Sequence, residues 1–257
     1  MKPRVAVFKF ASCDGCQLQF LNAGDELLKL AGQADIVYFP EARGRALAGP
    51  YDLAFVEGSV TTPADARRII EVREESRYLV TIGACAAAGG IQALRNWADI
   101  EQYRRAVYPS PEFISTLSTS TPISEHVRVD FEIWGCPIDK TQLLAVTRSL
   151  LFGAQPVLPG HSVCIECKRS GNACVIVTRG EPCLGPVTRA GCGALCPAMN
   201  RGCYGCFGPA DAHNMESFAA LLADQGVRGD DAMRRLRGIN GYVRPWRESA
   251  DALAAKK

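Results

Sequence analysis

The sequence has no long apolar run, no excess of either charge and no repeat of fixed period, and each absence removes a class of protein. A long stretch without a charged residue, Tyr78 to Leu94, is interrupted by Gly83, Gly89 and Gly90 and is shorter than a typical membrane span. A buried strand with its following loop accounts for it, so no membrane span is expected. The net charge of +2 comes without a concentrated Lys/Arg face, which excludes nucleic acid and anionic membrane as expected partners. The amino terminus runs from Arg4 straight into Val5-Ala6-Val7-Phe8, without the basic, apolar and cleavage regions of a signal peptide, and a cytoplasmic location is the expectation. No catalytic triad, paired carboxylates or phosphate-binding loop stands out: Gly83 to Gly89 matches neither the dinucleotide fingerprint nor a P-loop.

What the chain has is an ordinary folded composition, 47% apolar and 22% charged, over 257 residues, and twelve cysteines that this average does not explain. Under reducing conditions they are not expected as disulfides, and a chain this long does not need staples to fold. Metal binding is the leading reading.

Short apolar runs at Val5–Phe10, Ile36–Phe39, Leu53–Val56, Tyr78–Ile82 and Val127–Ile133 read as strands, separated by segments of helical spacing. Gln17–Leu30 reads as one helix with Leu18, Leu21, Leu27, Leu28 and Leu30 on an apolar face. Thr62-Pro63 reads as a cap with proline at the first helical position, opening Ala64–Glu75, and Ile138–Leu151 as a further helix. The alternation predicts an α/β domain over residues 1–155 with a flavodoxin-like, mainly parallel sheet and helices on both faces; strand order is not readable. Residues 95–125, with Pro109, Pro111, Pro122 and a Ser/Thr cluster, read as a surface insertion. Residues 156–257 read as a loop-rich metal domain, since eight cysteines lie between Cys164 and Cys206 among Gly and Pro. A helix at Met215–Gln225 and a charged tail of weak periodicity follow.

The first four cysteines are scattered in sequence but equivalent in position. Cys13 and Cys16 follow the first strand, Cys85 the fourth and Cys136 the fifth. In a parallel sheet these strand ends share one edge, where such folds bind ligands. Four thiolates there suit a [4Fe–4S] cluster. The plainer alternative makes Cys85 and Cys136 small buried hydrophobes and leaves only the Cys13/Cys16 pair to bind. The second group runs Cys164-x2-Cys167-x6-Cys174-x8-Cys183 and Cys192-x3-Cys196-x6-Cys203-x2-Cys206, enough for two four-cysteine sites. Paired C-x2-C elements also build structural zinc sites, and zinc is the competitor here. Cys183-Leu184-Gly185-Pro186 and Cys196-Pro197 tilt towards iron–sulfur, since ferredoxin ligand runs end in Cys-Pro.

Cys13-Asp14-Gly15-Cys16, Val56-Glu57-Gly58-Ser59, Gly83-Ala84-Cys85 and Trp134-Gly135-Cys136-Pro137, in that order, resemble the small subunit of nickel–iron hydrogenases. The later run through Cys164-Ile165-Glu166-Cys167-Lys168, Pro182 to Cys192 and Cys203-Tyr204-Gly205-Cys206 is similar to the cytoplasmic, NAD(P)-linked branch, including sulfhydrogenase delta subunits. The resemblance covers residues 4–208. It implies a proximal cluster on Cys13, Cys16, Cys85 and Cys136, a medial one on Cys192, Cys196, Cys203 and Cys206, and a distal one on Cys164, Cys167, Cys174 and Cys183. All three would be [4Fe–4S], with Cys164 standing where periplasmic relatives have a histidine ligand and Cys196 filling a position often held there by a non-ligand. The missing twin-arginine leader also departs from those relatives.

The implied function is electron transfer in an H2: NAD(P)+ oxidoreductase. No catalytic residue lies on this chain; the Ni–Fe centre belongs to an obligate large subunit, and FAD and NAD(P) to diaphorase or reductase partners. Two alternatives remain at this point, a zinc-stabilised interaction subunit without redox role and a complex I-like quinone-reductase subunit. The latter carries adjacent cysteines where Cys13 and Cys16 stand two residues apart, and it lacks the eight-cysteine extension. Glu57, at a strand end beside the proximal set, is expected either to contact the large subunit, to order its loop, or to be an exposed loop carboxylate. His161 and His213 are read as surface residues, and Asp14 and Lys168 as charges within ligand loops.

Overall fold

The computed structural model describes residues 2–255. The chain divides into two compact units, one running to Val157 and the other from Leu158. The first is built on five parallel strands, β1 Arg4–Lys9, β2 Asp35–Tyr38, β3 Tyr51–Glu57, β4 Ser76–Ile82 and β5 Phe131–Ile133, in the spatial order β2-β1-β3-β4-β5. This is the flavodoxin-like order, with its switch point between β1 and β3. Alternation along the strands feeds two cores. Ala6, Phe8, Ala54, Val56 and Leu79 pack with Ile69 and Val72 of helix α3, Pro63–Glu74. Val5, Val7, Leu53 and Phe55 are equally buried by residues of opposite parity, and Phe55 meets Phe20 of α1, Gly15–Leu21, edge to face at 5.0 Å. The expected capping of α3 is present in full: the Thr62 side chain accepts from Asp65 N, and the Asp65 carboxylate accepts from Thr62 N.

Two elements differ from expectation. The single helix over Gln17–Leu30 is two, α1 and α2 Asp25–Gln33, because Gly24 takes φ +54 between them. The break turns the leucine stripe outwards: Leu18, Leu21 and Leu28 are exposed, while Phe20 and Leu30 face the core. The last strand is three residues rather than seven. Asp130 ends the ladder by giving its carboxylate to Leu79 N at 2.8 Å and to Arg73 Nη1 at 2.5 Å, so Val127 and Val129 pack on the core from a loop. Helix α4, Gly83–Ala88, follows β4 directly; α5, Ile100–Val107, lies within the irregular 95–125 stretch and buries none of its residues; α6, Lys140–Leu151, starts at an Asp139 cap.

The second unit holds α7 Val163–Arg169, α8 Val175–Arg179, α9 Leu195–Ala198, α10 Met215–Asp224, α11 Gly229–Leu236 and α12 Arg244–Ala254. The expected charged tail in fact contributes to this unit's core. Ala232 and Leu236 of α11, Trp246 and Ala250 of α12 and Phe218 and Leu222 of α10 are fully buried against Val163, Val175, Leu184 and Val187. The i, i+4 pairs at 232/236 and 246/250, and Pro245 at the start of α12, were the signals for it. Among the described residues no helix is long and apolar enough to cross a membrane.

Candidate functional site

In the first unit, β1, β4 and β5 deliver four thiols to the carboxyl edge of the sheet. Cys13 sits in the turn after β1, and Asp14 behind it adopts φ 66, held by Lys9 Nζ at 2.6 Å and by the Ser12 hydroxyl at 3.2 Å. Cys16 opens α1. Gly83, at φ +86, turns β4 into α4 and presents Cys85; any side chain there would run into Cys16 Sγ. Gly135 before Cys136 accepts Ala84 N at 2.8 Å, tying the β4 and β5 loops together. Cys16, Cys85 and Cys136 lie within electrostatic reach of one another, as do Cys85 and Cys136 with Cys13. Burial, reinforced by the neighbouring Glu57 and thiols, raises the Cys16 thiol strongly. Burial likewise pushes Cys85 up to about 11, partly offset by Gln92, and raises Cys136. Thiols held this far above neutrality need a cation to become ligands, which is what a metal cluster provides.

Glu57, the last residue of β3, is not an exposed loop carboxylate. It is 2% exposed and accepts Cys16 N at 3.0 Å and Gln17 Nε2 at 2.7 Å, so it orders the Cys13–Cys16 turn from beneath. Burial raises its carboxyl, against the opposing pull of those two donors. Gln17 and Gln92 are residues that sequence reasoning missed. Gln92 Nε2 donates to Ala11 O at 2.6 Å and lies 3.5 Å from Cys85 Sγ, bridging two loops more than eighty residues apart. Both are ordinary glutamines in the sequence, and only the fold marks them.

In the second unit Cys164, Cys167, Cys174 and Cys183 line one small apolar cavity with Val163, Val175, Ile176 and Pro197. Cys164 is within electrostatic reach of the other three, and burial raises both its thiol and that of Cys183. The remaining four come together as pairs. Cys192 neighbours Cys196, with Ala194 and Leu195 N–H groups directed at Cys192, and Cys203 neighbours Cys206 and receives Gly205 N at 3.4 Å. Burial raises Cys192 and Cys203. Glu166 accepts Gly191 N at 2.9 Å, pinning the turn before Cys192. His161 and His213 turn their Nδ1 atoms to the backbone carbonyls of Ser162 and Ala210, at 3.2 and 2.6 Å.

These sites fit polynuclear groups. Four thiols suit a [4Fe–4S] cube, which takes its thiolates at separate corners. The bare α-carbon of Gly83 facing Cys16 leaves space where a side chain would fill the site, and the cavity among the four cysteines of the second unit does the same.

Comparison with known proteins identifies the family. Residues 13–150 match the family described as NADH ubiquinone oxidoreductase, 20 Kd subunit. The chain is similar to sulfhydrogenase 2 subunit delta of Pyrococcus furiosus, 35% identical over 91% of this chain and 98% of that one. It is also similar to a subunit of the F420-non-reducing hydrogenase vhu of Methanocaldococcus jannaschii, 32% identical over 99% and 97% of the two chains. Among solved structures, an NAD+-reducing [NiFe]-hydrogenase in its H2-reduced state superposes with a TM-score of 0.58 at 30% identity, covering 62% of this chain and 96% of that one.

Proposed function

Because this chain belongs to the NADH ubiquinone oxidoreductase 20 Kd subunit family, and within it to the hydrogenase small subunits, we propose that it is the electron relay of a cytoplasmic [NiFe] hydrogenase. It would connect the Ni–Fe site of a large subunit to an NAD(P)-reducing flavoprotein. The observation that carries this reading is the convergence of Cys13, Cys16, Cys85 and Cys136 from three separate strand ends onto one sheet edge. Three [4Fe–4S] clusters would be held by Cys13, Cys16, Cys85 and Cys136, by Cys192, Cys196, Cys203 and Cys206, and by Cys164, Cys167, Cys174 and Cys183. When bound, they supply one-electron oxidation and reduction.

The residues around them have three tasks. Glu57, Gln17 and Gln92 fix the proximal loops; backbone N–H groups of Gly185, Cys203 and Gly205 point at thiol sulfurs; Val163, Val175 and Leu184 exclude water. No side chain has a bond-making role, and the proximal edge is covered by the large subunit.

The nicotinamide end of the proposal is supported by likeness to the NAD+-reducing enzyme. That solved chain accounts for 62% of this one, whereas the likeness to the sulfhydrogenase and F420-non-reducing hydrogenase chains extends over 91% or more. The full-length likeness favours a second reading in which the same relay serves an acceptor other than nicotinamide. Two measurements on the anaerobically purified complex decide these points. Iron and acid-labile sulfide should each reach about twelve per copy of this chain, four per cube; about four, or stoichiometric zinc, removes the three-cluster relay. Hydrogen-dependent reduction of NAD+ or NADP+ by the same complex separates the two acceptors.

A further inference from the structure

Two ligand segments of the second unit lie directly against each other. Leu184 N donates to Cys203 O at 3.0 Å, and Cys203 N donates to Cys183 Sγ at 3.1 Å. A backbone N–H belonging to one cysteine group thus reaches a sulfur of the other. Gly202 allows the approach, since any side chain there would strike the Pro182 carbonyl, and its own N–H is held by Glu181 Oε1 at 3.0 Å.

Behind the Cys203–Cys206 loop stands the carboxyl-terminal helical pair. Asn240, fully buried in the turn between α11 and α12, donates from Nδ2 to Gly205 O at 2.8 Å. Trp246 of α12, also fully buried, lays its six-membered ring on the Gly205 α-carbon so closely that an added Cβ would sit 2.5 Å from Cη2. Gly205 N in turn donates to Cys203 Sγ at 3.4 Å. Neither Asn240 nor Trp246 can ligate a cluster, and both lie well beyond the last cysteine.

We infer that α11–α12 is a positioning element, in which Asn240 and Trp246 hold the Cys203–Cys206 loop so that the Cys203 N–H points at Cys183 Sγ, and thereby sets the potentials of both second-unit clusters together. The inference rests on the cluster reading above. The positive end of an N–H dipole directed at a ligand sulfur stabilises the reduced, more negative state of the cluster and raises its potential. Loosening the loop weakens the Cys203 donor to one cluster and the Gly205 donor to the other. Cys183 keeps a second donor in Gly185 N at 3.4 Å, so its loss is partial. A merely structural role for α11–α12 would lower cluster content without moving the potentials of the clusters that remain.

The test is Asn240→Leu in the full anaerobic complex, with iron content and an EPR-monitored redox titration of each cluster. At a fixed poise the reduced-to-oxidised ratio of the second-unit clusters should fall by about three- to tenfold, the scale of one weakened hydrogen bond to a charged group. The proximal cluster should not move, and Trp246→Phe, which withdraws the six-membered ring from Gly205, should shift the second-unit clusters in the same direction as Asn240→Leu. Unchanged potentials at full iron content, or an equal shift of all three clusters, would overturn the inference. If Asn240→Leu does not assemble, the parent complex decides the matter by pulsed proton spectroscopy in D2O. The reduced cluster on Cys183 must couple to a slowly exchanging amide proton assignable by ¹⁵N-cysteine labelling, and no such coupling refutes the proposal. Failure of the cluster reading itself is distinct, because it is seen as missing iron in the parent.

Discussion

Replacing Glu57 by alanine should loosen the proximal loop far more than replacing it by glutamine. The carboxylate is buried and satisfies two buried donors, Cys16 N at 3.0 Å and Gln17 Nε2 at 2.7 Å. Alanine leaves both unpaired at about 1–3 kcal/mol each, so about 2–6 kcal/mol in all. A factor of ten per roughly 1.4 kcal/mol converts this into an opened-loop population raised by about thirtyfold to about twenty-thousandfold. Glutamine keeps one acceptor for Cys16 N. Its new NH2 has a partner waiting, because Gln17 Oε1 is buried with no hydrogen-bond partner among the described residues and a turn of the Gln17 amide brings it into place. The assay is the rate at which a ferrous chelator strips iron from the reduced, assembled complex, where release follows local opening. Glu57→Ala should lose one cluster's iron at least about tenfold faster than the parent, and Glu57→Gln within about threefold of it. The sign with pH follows from burial, which holds the Glu57 carboxyl above its ordinary value. Its stabilising contribution is present when it is protonated, below the unfolded-state pKa, and fades as pH rises through the raised folded value; the glutamine variant lacks this dependence. Equal iron loss from both variants, or none from alanine, would refute the reasoning.

Cys85→Ser should abolish hydrogen-dependent reduction of every acceptor, whereas Cys174→Ser should abolish reduction of the physiological acceptor while hydrogen–deuterium exchange at the Ni–Fe site persists. Normal acceptor reduction by assembled Cys174→Ser would break the proposed order of clusters. Thr62→Ala removes the side-chain half of the α3 capping box and should lower stability to denaturant by about 1 kcal/mol, with cluster content unchanged. A cost near zero would mean that α3 is held by Ile69 and Val72 alone.

The sheet was legible because its strands are short apolar runs, buried on both faces and alternating with helical segments, and because Thr62-Pro63 states a helix start in the local sequence. The positions of Cys13, Cys16, Cys85 and Cys136 followed from that alternation, since residues just after parallel strands share an edge. Strand order was not legible: it depends on crossovers whose direction no local residue records. The break at Gly24 was missed because leucines at helical spacing continue across it, and the short β5 because Asp130 replaces ladder bonds with a side chain. Gln17 and Gln92 were invisible for a related reason. Gln17 contacts Glu57 forty residues away and Gln92 contacts Ala11 eighty-one away, and nothing near either glutamine signals its role.

The second unit shows why cysteine spacing alone misjudges such a domain. Gly, Pro and ligand loops between Cys164 and Cys206 suggest a segment held only by its metals, with folding energy supplied on binding. A unit of this size without an apolar core would be marginal. Part of the core comes from the segment that looked like a charged tail: α11 and α12 are strongly amphipathic, and Ala232, Leu236, Trp246 and Ala250 point inwards. Their charges stay outside, as in the Arg237–Asp251 pair at 2.7 Å, which links the two helices across their exposed side. Phe218 and Leu222 of α10 close the same core. The residues packed against these helices include Cys183 and Cys203 themselves, so the scaffold and the ligands share one hydrophobic interior. Under the proposed cluster assignment, ligand geometry would be fixed from two sides, by the metals in front and by the helices behind, and a substitution at Trp246 would reach the thiols through the Gly205 contact without touching a ligand.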